Sequence, residues 1–115
     1  MTESLHTHLV SVLNAADIHP ALSEDEIDSY PYVTFELPVS YHYTKDGNYK
    51  ILGNLTIRSV SDDFDQADGL REGIDTAIEA GFTGSYAARL TDVRKDCMDG
   101  VWVIELDYLL QQNNN

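Results

Sequence analysis

The first residues of the chain follow the spacing of one face of a helix. Apolar side chains recur three and four positions apart between Leu5 and Ala16, which is the period of an amphipathic helix. Thr2 and Glu3 precede them, at positions suited to capping the helix and to complementing the positive end of its dipole. The pattern predicts a helix over residues 3 to 16.

In the next segment the pattern of apolar and polar residues is at first irregular and then alternates. His19-Pro20 ends the helix, and the acidic stretch up to Tyr30 keeps no sustained pattern, so it is predicted to be an exposed connection. From Tyr32 to Thr44 apolar and polar residues alternate, which predicts a long, half-buried strand. Pro38 has no amide hydrogen, so this strand is expected to lie at an edge or to bulge there.

A tight hairpin is predicted after the first strand. Lys45-Asp46-Gly47-Asn48 contains the Asp-Gly pair that favours two-residue turns. The second strand is predicted from Tyr49 to Val60, and Gly53 within it is expected to mark a bulge or a close backbone approach. The apolar face of this strand is predicted to comprise Ile51, Leu55 and Ile57.

The helical period returns after the second strand and predicts a second helix over residues 63 to 80. Asp63 and Gln66 have the spacing of a capping box, and Gly81 stands where a left-handed end cap is expected. An apolar stripe along this helix predicts that it packs on the sheet. Its members are Phe64, Ala67, Leu70, Ile74, Ala77 and Ile78.

Two further strands are predicted at residues 85 to 94 and 101 to 111, joined through residues 96 to 100 as a second hairpin. Glu105 and Asp107 fall on one face of the last strand and are expected to be solvated. The other face is predicted to be buried, with Trp102 fully covered. That face comprises Trp102, Ile104, Leu106, Tyr108 and Leu110.

The order helix, strand, strand, helix, strand, strand predicts an α+β fold. We expect a two-layer sandwich in which two helices cover one face of an antiparallel sheet of about four strands. The 115 residues, of which 43% are hydrophobic, suffice for one core and not for two. Residues 1 to 115 are therefore predicted to be a single domain.

The charge balance excludes several function classes. Twenty acidic and seven basic residues give a formal net charge of -13, which disfavours direct binding to phosphate backbones.

No apolar run approaches the ~20 residues that span a bilayer, so membrane attachment is not expected. Cys97 is the single cysteine, and with no secretory leader in the sequence we expect a cytoplasmic setting.

The sequence predicts no catalytic residue, no cofactor site and no metal site. His6 and His8 are two positions apart on a helix and so face different ways. The acidic run at residues 62 to 69 is not a calcium loop, because counting from Asp63 puts Ile74 where a bidentate Glu is required. No nucleophile elbow or phosphate loop is present, and we expect no enzymatic activity.

The succession of a short helix, an acidic connection and a first strand that opens with Pro31-Tyr32-Val33 resembles the tail terminator (tail completion) family of long-tailed bacteriophages and related viruses. The resemblance implies a homo-oligomeric ring, usually a hexamer, that ends the tail tube and joins it to the head-side connector. It implies a tail tube protein and a head-tail connector protein as partners. The implied location is the virion tail, and the host cytoplasm during assembly.

The tip of the first hairpin is the expected oligomer interface, because it would project beyond the other strands and carries aromatic side chains. The interface is predicted to comprise Tyr41, Tyr43, Asp46, Gly47, Asn48 and Tyr49. A different function is compatible with the same composition: an acidic inhibitor or immunity protein that mimics nucleic acid. Such a mimic would be mostly monomeric, with its carboxylates along one face. The acidity also fits a DNA-repelling lumen or a high-salt habitat.

Overall fold

Two helices and an antiparallel sheet make up the fold. The computed structural model describes residues 4–22, 27, 29–37, 42–43 and 49–113. The helices are α1 (Leu5–Ala15) and α2 (Phe64–Gly81). The strands are β1 (Tyr32–Glu36), β2 (His42–Tyr43), β3 (Tyr49–Ser61), β4 (Tyr86–Met98) and β5 (Val101–Asn113).

The predicted α+β class is confirmed, and so is the antiparallel sheet with two helices. The strands β1, β3, β5 and β4 lie side by side in that order, and the short β2 pairs with β3. The predicted first strand therefore occurs as two pieces along the same edge of β3, with Pro38 between them and outside the described residues. The centre of the sheet is the long β3–β5 pair.

The core lies between the helices and one face of the sheet. Leu55 pairs with Tyr108 and Ile57 with Leu106 across β3 and β5, and all four side chains are buried. Since side chains alternate along a strand, these pairs define the inner face of the sheet. The helices place Leu9, Leu13, Ile74 and Ile78 against it.

Gly53 marks a bulge, as its sequence context predicted. The register between β3 and β5 shifts between Ile51 and Gly53, and Gly53 has a φ of 117°, a value that glycine adopts without a steric cost. The bulge reverses the alternation of side chains, so Leu52 is buried and Ile51 pairs with Gln111 on the outer face. The prediction that Ile51 shares a face with Leu55 is wrong for this reason.

The helix ends differ from the sequence predictions. Ser4 caps α1, with its Oγ accepting a hydrogen bond from the Thr7 amide at 3.1 Å, so the cap is neither Thr2 nor Glu3. Asp63 caps α2 through the Asp65 amide at 3.2 Å. The prediction of a capping box is wrong, because Gln66 Oε1 accepts a hydrogen bond from Ser61 Oγ at 2.8 Å instead.

Gly81 is the point of closest approach between the two helices. It is the last residue of α2, and Phe82 is the cap with a φ of -111°, so the predicted left-handed cap at Gly81 is wrong. A Cβ on Gly81 would lie 2.5 Å from a Val12 methyl group. The absence of a side chain thus allows α2 to pack against α1.

A partly buried hydrogen bond links α2 to the sheet. The Tyr108 hydroxyl donates to Asp75 Oδ1 at 2.7 Å. Burial of the phenol raises the pKa of Tyr108 above its ordinary value, and the neighbouring Asp75 carboxylate raises it further. Tyr108 therefore stays protonated and keeps donating to α2 from the centre of β5.

Replacing Gly81 with Ala should destabilise the protein, because the added methyl group overlaps Val12. We expect a loss of about 1–3 kcal/mol in the free energy of unfolding, measured by chemical denaturation. Gly69→Ala in the same helix is the matched control, since nothing lies within 4 Å of its Cβ position. It should stabilise by about 0.5–1 kcal/mol through helix propensity. Equal effects of the two changes would contradict the close approach.

Candidate functional site

The β4–β5 hairpin is the longest regular feature of the sheet. Each strand has 13 residues, and Met98 pairs directly with Val101. The two residues between them, Asp99 and Gly100, have φ values of 54° and 81°, as a two-residue turn that follows the twist of the strands requires. The connection is thus shorter than the predicted loop over residues 96 to 100.

The helix layer leaves the outer half of β4 exposed, although the Lys95 side chain reaches the start of α2. Tyr86, at the start of β4, is buried, whereas residues 89–100 are all exposed. Leu90 and Val93 pair with the buried Tyr108 and Leu106 and so lie on the inner face, yet they are 39% and 37% exposed. The physical reason is that α2 packs over β3 and β5. Beyond them, β4 extends past the edge of the helix layer.

The backbone of β4 is also open on one side. In the strand order β1-β3-β5-β4 it stands last, so within the described residues β5 is the only strand that pairs with it, apart from an isolated bridge between Thr83 and Ala87 at its start. A bulge between Leu90 and Asp92 shifts its register, and the Thr91 hydroxyl donates to the Asp107 carbonyl at 3.1 Å. Unpaired amide and carbonyl groups along such an edge can pair with another chain.

The large hydrophobic side chains that are exposed occur at two places in the described part of the chain. Three lie on β4, where Met98 at the hairpin tip is 71% exposed. The other two lie in the connection before β1, beside the opposite edge of the sheet. There the Ala21 amide donates to the Val33 carbonyl at 2.8 Å. The five residues are Leu22, Tyr30, Leu90, Val93 and Met98.

The outer face of the sheet carries a network of ion pairs centred on Arg58. Its guanidinium lies 3.1 Å from Glu36 and 3.0 Å from Glu105. Arg94 on β4 lies 3.7 Å from Glu105 and 3.6 Å from Asp107. The prediction that Glu105 and Asp107 are solvated is wrong, because their side chains are 19% and 15% exposed and the arginines of neighbouring strands cover them.

A second ion-pair cluster links β4 to the start of α2. Lys95 Nζ lies 3.2 Å from Asp68 Oδ1, and Arg71 Nε lies 2.8 Å from the same oxygen. Hydrogen bonds from Arg71 and Lys95 lower the pKa of Asp68. The stabilisation that these hydrogen bonds give the fold is complete at pH values above 3.8, the ordinary pKa of the Asp68 carboxyl. It is lost as the pH falls through the lowered pKa.

Trp102 lies at the hairpin end of β5 and is half-buried. Its ring packs at 4.8 Å on Phe64, and it pairs with Ser61 and Cys97 on the two neighbouring strands. The prediction of full burial is wrong. The inner face was assigned correctly, but Trp102 lies at the end of the sheet beside Phe64, the first residue of α2, and part of the indole stays in contact with solvent.

The predicted interface residues fall mostly outside the described part of the chain. Tyr41, Asp46, Gly47 and Asn48 are not described, and for Tyr43 and Tyr49 only the backbone is. Tyr43 pairs with Lys50 and Tyr49 with Asn113, so the two tyrosines flank one hairpin. Their role in an interface stays a prediction.

A groove of about 710 Å³ runs between the outer sides of α1 and α2. It offers the carboxylate of Glu72 and the hydroxyls of Ser11 and Thr76, and the rest of its lining is small and apolar. Within the described ranges no three His, Cys, Asp or Glu side chains converge as metal ligands. No helix among these residues is long and apolar enough to cross a bilayer.

The sequence itself indicates that β4 is exposed, although the alternating pattern of the strand makes this harder to see. Charged residues occupy both faces of this strand between Arg89 and Asp96, whereas a strand covered on one side keeps that side apolar. The partners of Glu105 are harder to find, because Arg58 is 47 positions away in the chain.

No protein-family model matches the chain, and a comparison with curated proteins finds no match either.

Arg58→Met should destabilise the fold by about 1–3 kcal/mol, because it leaves the half-buried Glu105 without its main partner. Arg94→Met is the matched control. The Arg94 side chain is 68% exposed and that of Arg58 33%, so the loss should stay below about 1 kcal/mol. Thermal and urea denaturation measure both. A larger loss at Arg94 would show that the network is centred on β4 instead.

Proposed function

We propose that the protein is a structural subunit that assembles with copies of itself into a ring, and that this ring terminates the tail tube of a long-tailed virus. In this role it joins the tube to the head-side connector, with the tail tube protein and a connector protein as neighbours. The observation that carries the proposal is the uncovered edge of β4. The assignment to a viral tail comes from the sequence resemblance.

Self-association would remove from water the features that the single subunit leaves exposed. Leu90 and Val93 are exposed on the inner face of β4, and Met98 is exposed at the hairpin tip, beside a backbone edge that no further strand covers. Burying each such side chain is worth about 1–2 kcal/mol. Backbone pairing adds directional hydrogen bonds to this apolar contact. The Asp46-Gly47 hairpin with Tyr43 and Tyr49 remains the second proposed contact.

The net charge of -13 supports a role in which DNA passes close to the protein without binding. An acidic wall repels the phosphate backbone, so a ring lined by carboxylates leaves DNA free to slide. We propose a ring of six subunits, and this number rests on the sequence resemblance alone.

One structural observation favours this proposal over an acidic nucleic-acid mimic. A mimic should present rows of carboxylates that carry their full charge to a basic partner. On the outer sheet face, Glu36, Glu105 and Asp107 instead contact Arg58 and Arg94 at 3.0–3.7 Å. Two arginines thus offset part of the negative charge of this face within the subunit.

The test is to locate the protein in assembled tails. Electron microscopy of tails carrying a tagged protein should show one ring at the head-proximal end of the tube. Leu90→Asp with Met98→Asp should abolish the ring, because charges then enter an apolar contact. Glu79→Gln, an exposed site on α2, is the control and should assemble normally. Protein scattered along the tube, or absent from tails, would refute the proposal.

A further inference from the structure

We infer that copies of this chain join head to tail, with the β4 edge of one copy against the β1-side edge of the next. This inference rests on the self-association proposed above and specifies its geometry. The β1-side edge is formed by β1 and the residues that lead into it, and it includes Leu22, Tyr30 and Glu36. The occupant of each edge is therefore the opposite edge of a second copy.

The distribution of exposed hydrophobic side chains favours this arrangement. In the described part of the chain they are divided between the two edges, with Leu90, Val93 and Met98 on β4 and Leu22 and Tyr30 beside β1. The Tyr30 ring stacks on that of Tyr32, with 5.9 Å between the ring centroids, which holds it beside the start of β1. Two separate apolar surfaces on one subunit are what a head-to-tail contact requires.

The charges of the two edges are complementary. Three of the seven basic residues of the chain lie on β4, together with two acidic ones. On the β1 side the structure describes residues 22, 27 and 29–36, and the one charged residue among them is Glu36. Arg94 and Lys95 already pair with carboxylates of their own subunit, so the charge that β4 offers to a neighbour is that of Arg89, and Glu36 on the β1 side has the opposite sign. Complementary potentials of this kind select the partner and its orientation.

Among the basic side chains that the structure describes, Arg89 is the one most available to a neighbouring copy. It is exposed on the outer face of β4, and it makes no ion pair with any residue that the structure describes, unlike Arg94 and Lys95. Glu36 at the other edge keeps its side chain 70% exposed while contacting Arg58. A further cation could therefore approach Glu36 without displacing Arg58.

The way in which the edges pair determines whether the assembly grows beyond two copies. An edge that pairs with itself is satisfied in a two-fold dimer, and growth stops there. An edge that pairs with a different edge leaves one of each free, so growth continues until the chain of subunits closes into a ring. Head-to-tail pairing is thus the mode that connects the open edge of β4 to a closed ring.

The test mixes two full-length variants, each blocked at one edge. One carries Leu90→Asp and Met98→Asp on β4, and the other carries Leu22→Asp and Tyr30→Asp beside β1. Each variant alone should associate about tenfold or more weakly than the unmodified protein, because a charge enters an apolar contact. Circular dichroism and thermal melting must first show that both variants fold.

An equal mixture of the two variants should form a one-to-one heterodimer, since each supplies the edge that the other retains. Isotope labelling of one variant allows native mass spectrometry to identify it. If the variant blocked beside β1 still forms a homodimer and the mixture gives no heterodimer, β4 pairs with itself and the inference is wrong. If the unmodified protein stays monomeric in solution and on tail ends, self-association itself fails.

Discussion

The packing of two helices over the centre of the sheet determines which parts of this protein are covered. Gly81 lets α2 approach Val12 of α1, and the hydrogen bond from Tyr108 to Asp75 holds α2 above β5. A pair of helices at this separation covers β3 and β5. The sheet is wider than the helix layer, so the outer half of β4 remains exposed. The interaction surface proposed here follows from that difference in width.

Charge is the second constraint on the fold. A subunit with a net charge of -13 repels itself, and this repulsion destabilises a compact state. The structure places two arginines among the carboxylates of the outer sheet face and another arginine with a lysine beside Asp68. The basic residues are therefore concentrated where carboxylates crowd together. Arg89 is exposed and unpaired within the described residues, which is why it fits a contact between copies.

Sequence periodicity was sufficient to predict the helices and the main strands, and the glycine that interrupts the second of them indicated a bulge as one of two alternatives. Periodicity failed where a property depends on neighbours distant in the chain. Glu105 looks solvated until the pairing of β3 and β5 places Arg58 beside it, and Trp102 looks buried until the start of α2 is located. No local pattern contains the strand order that places β4 at the edge, although charged residues on both faces of β4 indicate its exposure. The predicted hairpin interface had only aromatic residues and a turn to support it.

The central claim is that the open edge of β4 is covered by a second copy in the assembled protein. Hydrogen–deuterium exchange of backbone amides tests this directly, because an amide that gains a partner exchanges more slowly. The account predicts that amides in β4 and in residues 29–36 become protected when isolated subunits assemble, while those of α2 change little. Assembled protein in which β4 exchanges as fast as in the isolated subunit would contradict the account.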